Sequence, residues 1–272
     1  MATTRDKANR VKTYVFLHLN TTCLPEDDPC RITEICMMAL DRKSFKDTLK
    51  YDGHGRPLLP RVVNKLVLCL DPDADLTEKA QDISKLSEEL LSKQQVFTTS
   101  TVSLIKSFLD HLKKPYCLIA HFGNGFDFPV LKNELERTGD FEEFANMFCA
   151  DSLNAVRELS TQNEPSDIHR VSTKRKASDA AKPSLKRSKT EPEKARERVT
   201  TGGLKTIKSL PTNLPSASRS FKAREYFEEL FGDVPENSHT AEGYCKALVH
   251  ILQKTSGFPK WVDRNKTKMA DF

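Results

Sequence analysis

The sequence predicts an α/β fold, a mixed central sheet flanked by helices, interrupted by a basic disordered insertion. Three observations carry this reading. Stretches rich in β-formers, at 14–19, 32–41 and 62–70, stand near the start. Helical periodicity follows, and between two helical patterns lies a short apolar run, Cys117–His121, which reads as a strand covered on both faces. From about Ser160 to Ser218 the composition shifts to Lys, Arg, Ser, Thr and Pro with few large apolar residues. Such a segment cannot bury enough surface to offset its ordering entropy.

Taken in order, residues 1–12 read as a polar, disordered N-terminus. In the first strand, alternation puts Phe16, His18 and Asn20 on one face and Val15, Leu17 and Leu19 on the other. The strand runs into an Asn-Thr-Thr turn, and its end is where α/β folds often place chemistry. A turn at 25–29, a second strand at 32–41, a Gly- and Pro-rich loop from Asp52 and a third strand predict an antiparallel meander. Helices are expected over 77–86 and 99–112; in the latter Val102, Ile105, Phe108, Leu109 and Leu112 make one apolar face. The strand at 117–121, a loop at 123–129, a helix at 130–138 and a last strand at 147–151 complete the first part. Helices at 221–231 and 241–255, the second capped from 235–238, follow the insertion, and Trp261 closes the packed region. The expected domain is therefore discontinuous, 13–159 with 220–265, around an insertion at 160–219.

At 272 residues, 38% hydrophobic and 30% charged, the chain fits one soluble domain with a large polar segment. No apolar run approaches the roughly 18 residues that span a bilayer, and the start has no apolar core of a secretory leader. Seven cysteines stand singly, with no paired spacing for zinc, which predicts reduced thiols and a nuclear or cytosolic compartment. The net charge of +5 is unevenly placed. Residues 160–219 carry 14 Lys and Arg against 6 Asp and Glu, which leaves the rest of the chain at −3 and excludes a globally basic surface.

Three stretches carry the functional reading: Tyr-Val-Phe-Leu-His-Leu-Asn-Thr-Thr-Cys-Leu-Pro (14–25), Leu-Ile-Ala-His-Phe-Gly-Asn-Gly-Phe-Asp-Phe-Pro-Val-Leu (118–131) and Ser-His-Thr-Ala-Glu-Gly-Tyr (238–244). In this order they resemble the motifs of the three-prime repair exonucleases, DEDDh-type 3′→5′ DNA exonucleases of ribonuclease H-like fold. Weaker echoes lie at 60–66, 83–87 and 261–263. The family's Asp, Glu and Gly of the first motif correspond to His18, Asn20 and Cys23, and its last Asp to Tyr244. Asp127, the second-motif carboxylate, and His239, the general base, are present. The resemblance implies two Mg²⁺ ions. Two-metal hydrolysis needs ions about 4 Å apart whose combined charge is offset by carboxylates. Here an amide, an imidazole and a phenol replace three of the four, and none is an anionic ligand for a hard cation at neutral pH.

The resemblance also assigns the grip on terminal bases to Leu24, Pro25, Ile83 and Phe126, apolar or stacking groups that work without metal. Two neighbours depart from the family: Lys85 replaces a Gly and Phe122 an Asn. Plainer readings stand beside these, with Asp127 as a helix cap, His18 as a hydrogen-bonded strand-end histidine, and Leu24, Ile83 and Phe126 as core. In the insertion, Lys174, Arg175 and Lys176 followed by Lys186, Arg187 and Lys189 have the spacing of a bipartite nuclear import signal. The sequence thus points to a non-catalytic relative, nuclear and also cytoplasmic, that binds single-stranded DNA 3′ ends or a protein partner, meets the import machinery and by resemblance forms a homodimer. Two alternatives remain: a weak metal-dependent 3′→5′ exodeoxyribonuclease using Asp127, His18 and Asn20, and an interaction module without DNA binding.

Overall fold

The computed structural model describes residues 10–23, 30–47, 50–53, 55–162 and 220–272. The expected DNA-gripping Leu24 and Pro25, both basic clusters and residues 163–219 of the insertion lie outside them. Among the described residues six strands form one sheet: β1 (Thr13–Thr21), β2 (Ile32–Asp41), β3 (Val62–Cys69), β4 (Tyr116–Ala120), β5 (Phe148–Asp151) and β6 (Thr267–Lys268). Their order is β3-β2-β1-β4-β5-β6. The first three make the antiparallel meander, β1 and β4 are parallel, as are β4 and β5, and β6 returns antiparallel to β5.

The helices are α1 (Arg42–Asp47), α2 (Glu78–Ser84), α3 (Glu88–Leu91), α4 (Thr99–Asp110), α5 (Asp127–Thr138), α6 (Ser152–Gln162), α7 (Ala223–Phe231), α8 (Ala241–Lys254) and α9 (Phe258–Asn265). They cover both faces of the sheet, and the period of two in β1 decides which residue meets which layer. Val15, Leu17 and Leu19 enter a core with α4 and α5 residues such as Ile105, Leu109 and Leu131. Phe16 enters the opposite core with Leu248 and Val249 of α8, Phe227 of α7 and Val262 of α9. None of these helices is long and apolar enough to cross a membrane.

Several expected boundaries move. Val11 and Lys12 belong to the fold rather than to a disordered tail: Val11 is fully buried and donates its N–H to Asp263 Oδ1 (3.1 Å), and the Lys12 N–H reaches the Pro115 carbonyl (2.7 Å). Residue 160 lies inside α6, its hydroxyl 3.3 Å from that of Tyr226, so the ordered part extends past 159. The fold also continues beyond 265. Met269 is fully buried, donates its N–H to Met147 O (2.9 Å), and Phe272 packs its ring on Phe128 at 4.9 Å. The cap of α8 is Thr240, which accepts from Gly243 N–H at 3.0 Å, not the 235–238 turn.

Candidate functional site

β1 is longer at its C-terminal end than its parallel neighbour β4, whose last residue is Ala120. On the β4 side, backbone donors of β1 past the end of β4 have no strand beside them. Asp127, first residue of α5, fills that role: its Oδ1 accepts from Leu19 N–H at 3.0 Å, and the residue is only 1% exposed. This corrects the cap reading, because Asp127 lies inside the first turn and Phe126 holds the cap position. The α5 N-terminus favours a negative charge there. Asp127 Oδ2 is buried without a hydrogen-bond partner.

His18 emerges beside it. Its Nδ1 stands 3.4 Å from Asp127 Oδ1 but makes no hydrogen bond, so the strand-end histidine is held by packing instead. The packing partner is Tyr244 on α8, whose ring stacks on the imidazole with centroids 3.7 Å apart and planes 11° from parallel. Burial, reinforced by the Asp127 charge, pushes the Tyr244 hydroxyl well above the ordinary phenol range, so it stays a neutral group. The two replacements found in separate motifs thus satisfy each other.

Asn20, the third replaced position, gives its amide nitrogen to other partners. Its Nδ2 donates to Glu34 Oε2 (2.8 Å) and to the His239 carbonyl (3.1 Å). Glu34 on β2 is 6% exposed and its Oε2 also accepts from Ala241 N–H (2.9 Å), so it ties the first strand to the α8 N-terminus. Glu34 escaped the sequence reading, although a lone carboxylate in the apolar run Ile-Thr-Glu-Ile-Cys-Met-Met was its signal. His239 itself is exposed at the cleft mouth. Gly243 is required by close approach: a Cβ there would lie 2.0 Å from the Asn237 carbonyl oxygen.

A second missed carboxylate orders the 122–124 loop. Asp151 at the end of β5 accepts from Phe122 N–H (3.0 Å), Asn124 N–H (3.2 Å) and Leu153 N–H (2.9 Å). Next to it, His121 Nε2 meets the Phe221 carbonyl at 2.6 Å and its Nδ1 the Ser152 hydroxyl at 3.0 Å. A carbonyl only accepts, so Nε2 carries a proton. Burial lowers the ring's pKa, against the pull of that carbonyl, and favours the neutral tautomer.

A cleft of about 950 Å³ lies at the C-terminal end of β1. Ile83, 57% exposed on α2, and half-buried Phe126 line it, as do His18, Asn20, His239 and Tyr244. Ile83 is therefore not a core residue, whereas Phe126 also touches the α4–α5 core. Phe122 is not among the lining residues; its ring lies over Gly125, where a Cβ would come within 2.4 Å of it. Lys85 does line the cleft. Both departures from the family sit in left-handed backbone, Lys85 at φ +60° closing α2 and Phe122 at φ +62°. Gly and Asn are the residues that adopt this conformation most easily, which gives the family's choice a backbone reason.

As a metal-binding set, the ligand positions supply one carboxylate, one imidazole and one amide, and among the described residues no three His, Cys, Asp or Glu converge on a point. This set does not fit a pair of Mg²⁺ ions, whose charge calls for several carboxylates.

The sheet order and the cleft at the C-terminal end of β1 are those of the ribonuclease H-like fold. Solved structures share it: cell-death related nuclease 4 has a TM-score of 0.53 at 9% identity, with 94% of this chain and 65% of that chain covered. E. coli exonuclease I in complex with a dT13 oligonucleotide has a TM-score of 0.54 at 15% identity, with 93% and 43% covered. The chain is similar to the three-prime repair exonucleases, which are 3′→5′ exonucleases. It is 29% identical over 258 residues to Three-prime repair exonuclease 1 of Bos taurus, covering 93% of this chain and 67% of that protein. Over 152 residues it is 40% identical to Three prime repair exonuclease 2 of Mus musculus, covering 55% of this chain and 63% of the relative. No family model matches the chain.

Proposed function

We propose that this chain is a non-cleaving member of its family that holds the 3′ end of a single strand of DNA. The observation that carries the reading is the Tyr244 ring stacked on His18 at 3.7 Å beside Asp127, where the family places carboxylates and metal ions. A phosphodiester there would face one carboxylate and no compensating cation pair. Without a metal, a water beside His239 keeps a pKa near 15.7, out of reach of an imidazole base.

The gripping side supports the binding half of the proposal. Ile83 and Phe126 face the cleft, Phe122 stays out of it, and base stacking contributes about 1–3 kcal/mol per base independently of metal. The complex of exonuclease I with dT13 is a precedent for single-stranded DNA on this fold, as is its zinc-bound form with single-stranded DNA. Nuclear residence, contact with the import machinery and self-association belong to the same proposal.

The test is an exonuclease assay in Mg²⁺ and in Mn²⁺ beside binding of end-labelled single-stranded DNA. We expect no mononucleotide release in either metal and retained binding that Phe126→Ala weakens. Metal-dependent shortening that disappears in Asp127→Ala would overturn the non-cleaving reading in favour of a weak exonuclease. Absence of DNA binding would leave a protein-interaction module.

A further inference from the structure

The cleft carries a second set of groups that the resemblance does not assign. Lys79 and Lys85 on and just after α2, and Arg224 in the first turn of α7, all line it and are all exposed. Asp82 is the acidic side chain that lines it with them. This basic rim is unexpected in a chain whose charge outside 160–219 is −3. Some basic groups elsewhere are closely paired: Glu242 Oε1 receives both Lys65 (2.9 Å) and Lys246 (2.6 Å), and Arg42 is locked on Asp263 at 2.7 Å. At the rim the pairing is loose or confined to the element's own helix. Lys85 stands 3.8 Å from Asp82, Arg224 pairs with Glu228 along α7, and Lys79 has no ion-pair partner among the described residues. Lys85 is moreover kept in left-handed backbone, a position where glycine would be free of strain.

We infer that Lys79, Lys85 and Arg224 form a metal-independent phosphate-binding rim that neutralises the backbone of a single-stranded polynucleotide whose terminal bases meet Ile83 and Phe126. Mobile cations interleaved with an exposed apolar residue and an aromatic ring are the arrangement that single-strand binders use, with cations tracking phosphates and rings taking bases. In a nuclease the metal ions offset phosphate charge at the reacting end; here the side-chain cations of the rim take that load. The two halves of the chain contribute jointly, since Arg224 follows the insertion and both lysines precede it.

This inference rests on the end-binding reading, and the experiment separates the two. The full chain is titrated in EDTA with labelled dT20 and, in parallel, U20, over a range of salt concentrations. Each phosphate cation lost on a single strand makes the slope of log affinity against log salt shallower by about 0.7, so the triple variant Lys79→Gln/Lys85→Gln/Arg224→Gln should lose about 2. Its deficit against wild type should then shrink by about 16-fold between 50 and 200 mM salt. Phe126→Ala should weaken binding by a similar factor at every salt concentration, with the slope unchanged. The basic segment is present in every protein, so its own salt dependence cancels. A triple variant that keeps both affinity and slope overturns the rim while leaving end binding intact; wild type that binds neither oligonucleotide overturns both. Each single exchange, at an exposed position, should shift the slope by about 0.7, which keeps the test open if the triple variant misfolds. Equal behaviour of dT20 and U20 would mark the rim as a backbone reader, and preference for one would show that the cleft reads the 2′-hydroxyl or the thymine methyl.

Discussion

At the scale of single residues, the replaced ligand positions are not merely emptied of charge. His18 and Tyr244 repack on each other, and a stacked ring pair of this kind contributes about 0.5–1.5 kcal/mol beyond its burial. Asn20 is equally committed, as the donor that lets Glu34 remain a buried acceptor. Restoring carboxylates with His18→Asp, Asn20→Glu and Tyr244→Asp should therefore cost stability before it gains chemistry. The new Glu would face Glu34 in place of a donor, and three carboxylates would gather around Asp127. We expect the triple variant to melt below wild type in EDTA and to recover on adding Mg²⁺, since a ligand that binds only the folded state raises its stability. A melting temperature indifferent to Mg²⁺ would mean that the ligand geometry has been lost along with the ligands.

His121 offers a second residue-scale test. Burial depresses its pKa in the fold, and His250 is depressed likewise, by burial and then by Arg56. A histidine whose folded pKa lies below its unfolded value binds a proton more readily when unfolded. Its contribution is present above the unfolded pKa of about 6.5 and is lost as pH falls through the folded value. Chemical denaturation at pH 7.5 and 5 should show lower stability at pH 5, and His121→Asn should flatten part of that difference. The same variant should loosen the chain at Phe221, to whose carbonyl His121 donates.

At the scale of elements, α2 is a seven-residue helix that carries Lys79 and Ile83 and closes on Lys85. It is held at one end by Thr77, which accepts from Ala80 N–H at 3.2 Å and donates to the Thr22 carbonyl at 3.0 Å. At the other end it closes on Lys85 with φ +60°. A non-glycine residue in that conformation costs about 1 kcal/mol. Lys85→Gly should raise stability by about that amount, a gain of a few degrees in melting temperature, while making the salt slope of DNA binding shallower by about 0.7. Opposite signs on stability and binding are the expected signature of strain kept for function. A Lys85→Gly protein no more stable than wild type would remove that argument.

At the scale of the whole molecule, the fold joins two lengths of sequence around residues 163–219. The partners of β1 come from both: β2 and β4 from before the gap, α8 from after it. The bipartite import signal proposed in the intervening stretch has its own test. Replacing Lys186, Arg187 and Lys189 with Ala should leave a tagged protein in the cytoplasm with its DNA-end binding unchanged in kind. Unaltered nuclear accumulation would refute the import assignment.

The sequence by itself determined the strands from 13 to 69, the parallel β4 and the helices at 99, 127, 223 and 241 to within a few residues, because period-two and period-3.6 patterns are local. It also singled out His18, Asn20, Asp127 and Tyr244, from three separate stretches of the chain. Short or polar-faced elements such as α1, α3, α6 and β6 were not legible; their stability comes from neighbours distant in the chain. Only the tertiary structure decided that Tyr244 lies flat on His18, that Asn20 serves Glu34, and that Asp151 orders the 122–124 loop. Those are contacts across 14 to 226 positions of sequence, set by how strands and helices meet rather than by any pattern within them. The basic rim is the same kind of fact. Lys79, Lys85 and Arg224 are ordinary surface residues until the fold brings two separated helices to one cleft.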